Sequence, residues 1–465
     1  MNSLGPLPRM TARDFPVTFS VQGLFDRFDH EIALPRQDDP IRFLTAPNGY
    51  GKSTLLRLLA DLATENHAGL ANAFWRKLKV GYESGAVLHA ELEAKEHHFQ
   101  ELRYRLEIPG RDDAITDRVT SNTLQRYVWQ TSQWRSSQAR RASPIDDRES
   151  GGHSPRGSFG SYGPPPRAIR LRREIRRALR ILNATYLDVH RLGPRGRATP
   201  APVRGVVSTR KGPAVSAIVE VAKAATAVLR NAKLKYLADS RSDEETFANR
   251  AVDALNNQIF EDSQAYESVS QHMRQLQRLY ERLGDLGVIA PLTSQAVDVM
   301  TRLKGANDAA VPVILLYWAD VVRRLRRLKN RVRSLELYRD VINSLLEGKT
   351  VRFRGDCDEG ENVGQGLEVH VGERAIPLDR LSDGEQHLLV IFGELLFGRL
   401  AQPRGLLLLD EPENSLHPEW QAALGTTLGR LAANSRRRVL VATHSPIVIG
   451  DSWEREISLD RREPK

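Results

Sequence analysis

The stretch that most restricts how this chain can fold is IRFLTAPNGYGKSTLLRLLADL, from Ile41 to Leu62. A short apolar run enters a glycine-rich turn, and after Lys52 the leucines recur at helical spacing, which predicts a strand–loop–helix unit. Gly49 and Gly51 let backbone N–H groups turn toward an anion with no Cβ in the way. The N-terminus of the following helix adds partial positive charge. In such a loop Lys52 reaches the β- and γ-phosphates and the Ser53 hydroxyl ligates Mg²⁺, with Asn48 and Thr54 in the same phosphate-binding set. The pattern G-x-x-x-x-G-K-[ST] begins here with Ala46 instead of glycine. Alanine is small enough for the tight turn that position needs.

Three further segments, all in the last quarter of the chain, bear on the same chemistry. In RGLLLLDEPENSLHPEWQ four leucines predict a strand buried on both faces, with Asp410 and Glu411 emerging at its carboxyl end, where open α/β sheets bind ligands. Asp410 is placed to hold Mg²⁺ through water, and Glu411 to polarise an attacking water as general base. RRRVLVATHSP puts His444 directly after another apolar strand one helix later, so that it is expected beside the same phosphate. RLSDGEQHLLVIFGELLF precedes both, ahead of an expected amphipathic helix. Ser382 and Glu385 form S-x-x-E, a capping box, and a capped helix start is itself an anion site. A cap alone does not require Gly384.

Around these motifs the chain divides in five. Residues 1–131 combine the hairpin FPVTFSVQGLFDRFDHEIALP, the glycine loop and two antiparallel strands. Residues 132–167 change to Ser, Gly, Pro and Arg, too poor in apolar side chains to offset ordering entropy, and read as a flexible insertion. Residues 168–213 hold a basic helix, the short strand TYLDVHRL and a Pro/Gly-rich loop. Residues 214–346 are helical. Val321, Leu325, Leu328, Val332, Leu335, Tyr338, Ile342 and Leu345 mark a helix packed along its length. Val269, Met273, Leu276 and Leu283 suggest a shorter partner in an antiparallel arm. Residues 347–465 return to strands alternating with helices, the pattern of a mostly parallel sheet.

Together the four motifs make the chain resemble an ABC-type ATPase, closest to the soluble SMC, RecF and OLD-like group. APNGYGKSTLL matches the Walker A motif of that group, LLLLDEP its Walker B, LSDGEQ its signature and VATHSP its switch-histidine segment. LSDGEQHLLVIFGELLF and DEPENSLHPEWQ are also similar to standalone AAA-type ATPases of bacterial antiphage systems, PARIS and retrons among them. The resemblance implies an α/β fold. It would be an ABC-type P-loop ATPase head, a mostly parallel sheet plus an antiparallel β lobe, with a large helical arm insertion. It also implies ATP and Mg²⁺ as cofactors. Ser382, Gly384 and Glu385 would then cap a nucleotide held by the Walker motifs of another subunit, making the chain a homo-oligomer, at least a dimer. Ser415 to His417 would take the D-loop position, with His417 where transporter-type members have Asp. His190 would stand where the group has its Q-loop glutamine, a departure from the pattern of the group. Phe25, Arg27 and Phe28 lie where an adenine-stacking residue is expected, or are edge-strand packing.

Composition bounds the partners. A net charge of +10 suits an acidic partner such as nucleic acid, and equally suits arginine-rich usage throughout. Direct contact with DNA or RNA would come from RAIRLRREIRRALR and RRLRRLKNRVR, which otherwise are solvated helix faces or bind an acidic protein. Cys357 is the sole cysteine, which rules out an intramolecular disulfide or a cysteine metal cage. The longest apolar runs fall short of the roughly 20 residues that span a bilayer, so a cytoplasmic protein with no membrane partner is expected. About 20 residues follow His444, too few for a Toprim nuclease domain. Two functions compete. One is an ATP-driven sensor or switch in antiphage defence, controlling a separate effector such as a Toprim-type nuclease. The other is a RecF- or Rad-like DNA clamp; a transporter ATPase subunit fits less well, because the arm is too large.

Overall fold

The computed structural model describes residues 14–95, 98–128, 169–188, 217–256, 262–289, 311–354, 366–398 and 405–459. The expected insertion at 132–167, the Pro/Gly-rich loop, His190 and Cys357 lie outside them. The chain begins with β1 (Pro16–Leu24), β2 (Phe28–Ala33), β3 (Ile41–Thr45), α1 (Lys52–Ala63), α2 (His67–Asn72), β4 (Lys77–Tyr82), β5 (Val87–Lys95), β6 (His98–Glu107) and β7 (Ile115–Thr120). Then follow α3 (Arg173–Leu182) and β8 (Ala184–Asp188), and the long helices α4 (Ala217–Asn256), α5 (Asp262–Asp285) and α6 (Val311–Leu345). The last part contains β9 (Thr350–Phe353), β10 (Leu367–Val371), β11 (Arg374–Ile376), α7 (Asp383–Phe397) and β12 (Leu406–Asp410). It closes with α8 (Pro418–Ser435), β13 (Arg438–Ala442), α9 (Pro446–Ile449) and β14 (Glu456–Ser458).

The central sheet runs β14-β3-β13-β12-β8, and every pairing in it is parallel. Strands β12 and β13 are buried at every position, as the leucine run of β12 predicts. The period-2 pleat sends alternate residues to two different cores. Leu406, Leu408, Leu440 and Ala442 face α1, α3 and the six-stranded antiparallel sheet β2-β1-β4-β5-β6-β7. Leu407, Leu409, Val439 and Val441 face α4, α6, α7 and α8. An α/β head with a β lobe on one face and a helical layer on the other is thus the architecture.

Two expectations need correction. Helix α7 is buried on nearly all sides rather than amphipathic; of its residues 384–397 only Glu394 is not buried. Its HLLVIFGELLF is hydrophobic all round, and α4, α6 and α8 cover it. The arm pairing also differs. The antiparallel partner of α6 is α4, as the bridges Arg250–Asp320, Arg324–Asp243 and Arg331–Asp239 show by running in opposite senses. Helix α5 runs parallel to α6, with Gln275 beside Arg326 and Arg282 beside Glu336. Heptad-like spacing marks which face is apolar and says nothing of partner direction.

Arg438, fully buried on β13, joins the two sheets: its guanidinium donates to Pro16 O at 3.0 Å and Pro35 O at 3.4 Å and stacks over Phe15. Arg438→Leu leaves those carbonyls without this donor and should lower stability by roughly 2–4 kcal/mol, read as a shift in the urea midpoint.

Candidate functional site

Parallel register decides where the site forms. Strands β3, β13 and β12 lie side by side, so their carboxyl ends open on one spot, with the histidine strand between the other two. Gly49 and Gly51 after β3 adopt φ of 85° and 84°. A Cβ on Gly51 would lie 2.6 Å from Leu24, so both shape and dihedral demand glycine there. Pro47, Asn48 and Gly49 are exposed at the tip of the loop, and Thr54 is half-buried on α1.

Lys52, on the first turn of α1, is buried; its Nζ donates to Ala46 O at 2.7 Å and lies 2.6 Å from His444 Nε2. An ammonium can only donate, so Nε2 is the acceptor in this arrangement. Burial pulls the Lys52 pKa below its ordinary value, while the charges of Glu411, Asp410 and Glu413 act in the other direction. Ser53 Oγ donates to Asp410 Oδ1 at 2.9 Å, and His444 Nε2 stands 3.6 Å from Glu411 Oε1. Glu411 has a φ of 48°, a left-handed backbone that a non-glycine residue adopts only under constraint. Lys52, Ser53, Asp410, Glu411 and His444, read from segments up to 392 residues apart, therefore form one cluster. Ser53 Oγ and Asp410 Oδ1 are hard oxygen donors suited to Mg²⁺. No group of three His, Cys, Asp or Glu among the described residues could hold a metal by itself.

The signature residues are placed differently. Ser382 is exposed at the start of α7; its Oγ accepts from Glu385 N at 3.3 Å, and Glu385 Oε2 accepts from Ser382 N at 2.9 Å, completing the capping box. Glu385 Oε1 accepts from Lys349 Nζ at 2.5 Å. Burial would raise the Glu385 carboxyl, but the hydrogen bonds from Lys349 and Ser382 hold it below its ordinary range. Gly384 is buried, and a Cβ there would lie 2.6 Å from Ser415 O, so its smallness admits a neighbouring backbone. Of the adenine-stacking candidates, Phe28 is buried between His30 and Tyr50 with Arg27 over its ring, whereas Phe25 is 43% exposed. His417 is exposed at the N-cap of α8.

The sequence reading missed Tyr186. Its hydroxyl donates to Asp410 Oδ2 at 2.6 Å and accepts from Arg57 Nε at 3.0 Å. Burial, and then the Asp410 carboxylate, push its pKa up, which keeps the phenol protonated as a donor. The only sequence signal was its place on a strand, and pairing of that strand with β12 was not legible. The arginine run of α6 is largely engaged within the chain, and so are two arginines of the α3 run. Arg323, Arg324, Arg327 and Arg331 bridge Asp320, Asp243 and Asp239, and Arg176 and Arg180 bridge Glu65.

Residues 314–450, from α6 to α9, match the family described as "AAA domain, putative AbiEii toxin, Type IV TA system". That stretch contains α7, Asp410, Glu411 and His444. No curated protein matches the chain. Among solved structures it is similar to the Smc head domain with a coiled coil and joint derived from Pyrococcus yayanosii. That likeness has 12% identity and a TM-score of 0.36, over 97% of this chain and 96% of the other. A second is the SmcHead bound to the C-winged helix domain of ScpA, with 11% identity and a TM-score of 0.36, over 97% and 95%. No described helix is long and apolar enough to cross a membrane.

Tyr186→Phe removes one of the two hydrogen bonds that orient Asp410. It should lower stability by roughly 1–2 kcal/mol, because the buried carboxylate loses a donor, read as a shift in the urea midpoint.

Proposed function

We propose that this chain is a Mg-ATP-dependent ATPase of the ABC type whose active form is an oligomer sharing nucleotide sites. The observation that carries this is the convergence of Lys52, Ser53, Asp410, Glu411 and His444 at the ends of three neighbouring parallel strands. Each has a part to play. The loop amides of 48–54 and Lys52 bind the β- and γ-phosphates. Ser53 and Asp410 hold Mg²⁺, which when bound neutralises phosphate charge. Glu411 takes the proton of the attacking water, and His444 meets the γ-phosphate. Lys52 Nζ now lies against His444, so phosphate replaces a contact within the chain when it enters.

Ser382 supports the shared-site part of the reading. It sits exposed at a capped helix start, while its neighbours Glu385 and Gly384 are occupied by Lys349 and Ser415. The N–H groups of Ser382 and Glu385 are engaged in the capping box, so the exposed Ser382 hydroxyl and the positive end of the helix are what fit the phosphate of a second copy. On this reading ATP joins two heads. The assembly acts as a sensor or switch in antiphage defence, and the output is passed to a separate effector such as a Toprim-type nuclease. The internal pairing of the α6 arginines weakens the competing DNA-clamp reading, because those side chains already serve the arm.

Lys52→Ala should abolish ATP binding. Glu411→Gln should keep binding, lose hydrolysis by about 10²-fold or more, and accumulate an ATP-bound oligomer seen by light scattering after size exclusion. Hydrolysis by Glu411→Gln at the wild-type rate would overturn the general-base assignment.

A further inference from the structure

The turn that follows Glu411 carries two polar side chains to which the reading above gives no work. Glu413 is 8% exposed; its Oε1 accepts from Thr443 Oγ1 at 2.6 Å and from His444 N at 3.0 Å. One carboxylate oxygen thus holds the backbone on which the imidazole is mounted. Asn414 Nδ2 donates to Glu411 Oε2 at 2.8 Å, and Asn414 N donates to Glu411 O at 3.2 Å. Glu411 N in turn donates to Ala442 O at 2.8 Å, so the strained residue is held at its N–H, its carbonyl and its carboxylate. The turn is itself seated on α7: Asn414 O meets His387 Nδ1 at 3.3 Å, and Ser415 O packs against Gly384.

We propose that Glu413 and Asn414 are paired positioning residues, Glu413 setting His444 and Asn414 setting the carboxylate of Glu411. Three observations support this. First, each side chain contacts a residue assigned to hydrolysis, and those contacts are directional hydrogen bonds rather than packing. Second, the two act from adjacent positions of one short turn, so the base and the histidine share a single support. Third, a left-handed Glu411 needs surroundings that over-determine it, and Asn414 supplies two of its hydrogen bonds. Neither residue belongs to the loop 46–54. Both should therefore govern the rate of turnover, and the uncharged Asn414 should leave nucleotide affinity alone. A misplacement of about 1 Å in a reacting group costs on the order of 10²-fold in rate.

This inference rests on the ATPase reading, and the test separates the two. ATP affinity and single-turnover hydrolysis are measured on the full chain for wild type, Glu411→Gln, Asn414→Ala, Glu413→Ala and Glu413→Gln, and for the double variant Glu411→Gln with Asn414→Ala. Asn414→Ala is expected to lose hydrolysis by about 10-fold to 10²-fold with affinity for ATP within about twofold, and to add no further loss in the Glu411→Gln background. Glu413→Gln keeps an acceptor oxygen for Thr443 and His444 and should retain most of the rate that Glu413→Ala loses. The inference fails if Asn414→Ala turns over at the wild-type rate, if its loss multiplies that of Glu411→Gln, or if Glu413→Gln is as impaired as Glu413→Ala. Should Glu413→Ala not fold, Glu413→Gln near the wild-type rate supports the inference and an impaired Glu413→Gln overturns it. If wild type itself does not hydrolyse ATP, the ATPase reading has failed instead; if Glu411→Gln matches an active wild type, the general-base assignment has failed.

Discussion

The parallel register of β3, β13 and β12 is the constraint on which the rest depends. Leu44 pairs with Ala442 and Ala442 with Asp410, so three chain segments end at one level. A parallel sheet needs crossovers, and its faces must be covered. Here the crossovers and covering are α1, α8 and the long helices. The side chains that follow the strand ends then have no choice but to meet. Ser53 reaches Asp410, and Lys52 reaches His444, without any long excursion of the backbone.

That meeting creates an electrostatic problem inside one chain. Asp410, Glu411 and Glu413 crowd together with Lys52 as the buried cation among them. Burial disfavours the ammonium while three carboxylates favour it, and Tyr186 relieves Asp410 with a hydrogen bond. The one ammonium thus offsets part of the charge of three carboxylates, and an incoming polyanion must exchange with those contacts. The left-handed Glu411 is part of the same arrangement: its unfavourable backbone persists because β13 and the following turn hold it on three sides.

The helical layer contributes rigidity to α7. Tyr338 donates to Leu389 O at 3.0 Å, tying α6 to the helix capped by Ser382, and Trp420 donates to Leu345 O at 3.0 Å, tying α8 to α6. Because α7 is buried almost throughout, its exposed first turn is a fixed presentation and not a floating one. The arm is continuous with that support: α4 and α6 extend from the same core and are pinned to each other by arginine–aspartate bridges. Movement of the arm would thus be felt at α7 through packed side chains rather than through a loop.

Much of this was legible before any coordinates. The glycine loop, the leucine strand ending in two acids, the strand-end histidine and the S-x-x-E cap are local patterns, set by neighbours in sequence and by the period of the element they sit on. They were enough to name Lys52, Ser53, Asp410, Glu411, His444 and Ser382 and to expect an α/β head. What the sequence could not contain was adjacency between strands. The order β14-β3-β13-β12-β8 puts Tyr186 on Asp410 and Glu413 on His444, because hydrogen bonds between distant segments depend on register, which no local period encodes. The same holds for α7 and the arm: apolar spacing marks a buried face, but only packing in three dimensions decided that every face of α7 would be covered and that α4 would run antiparallel to α6.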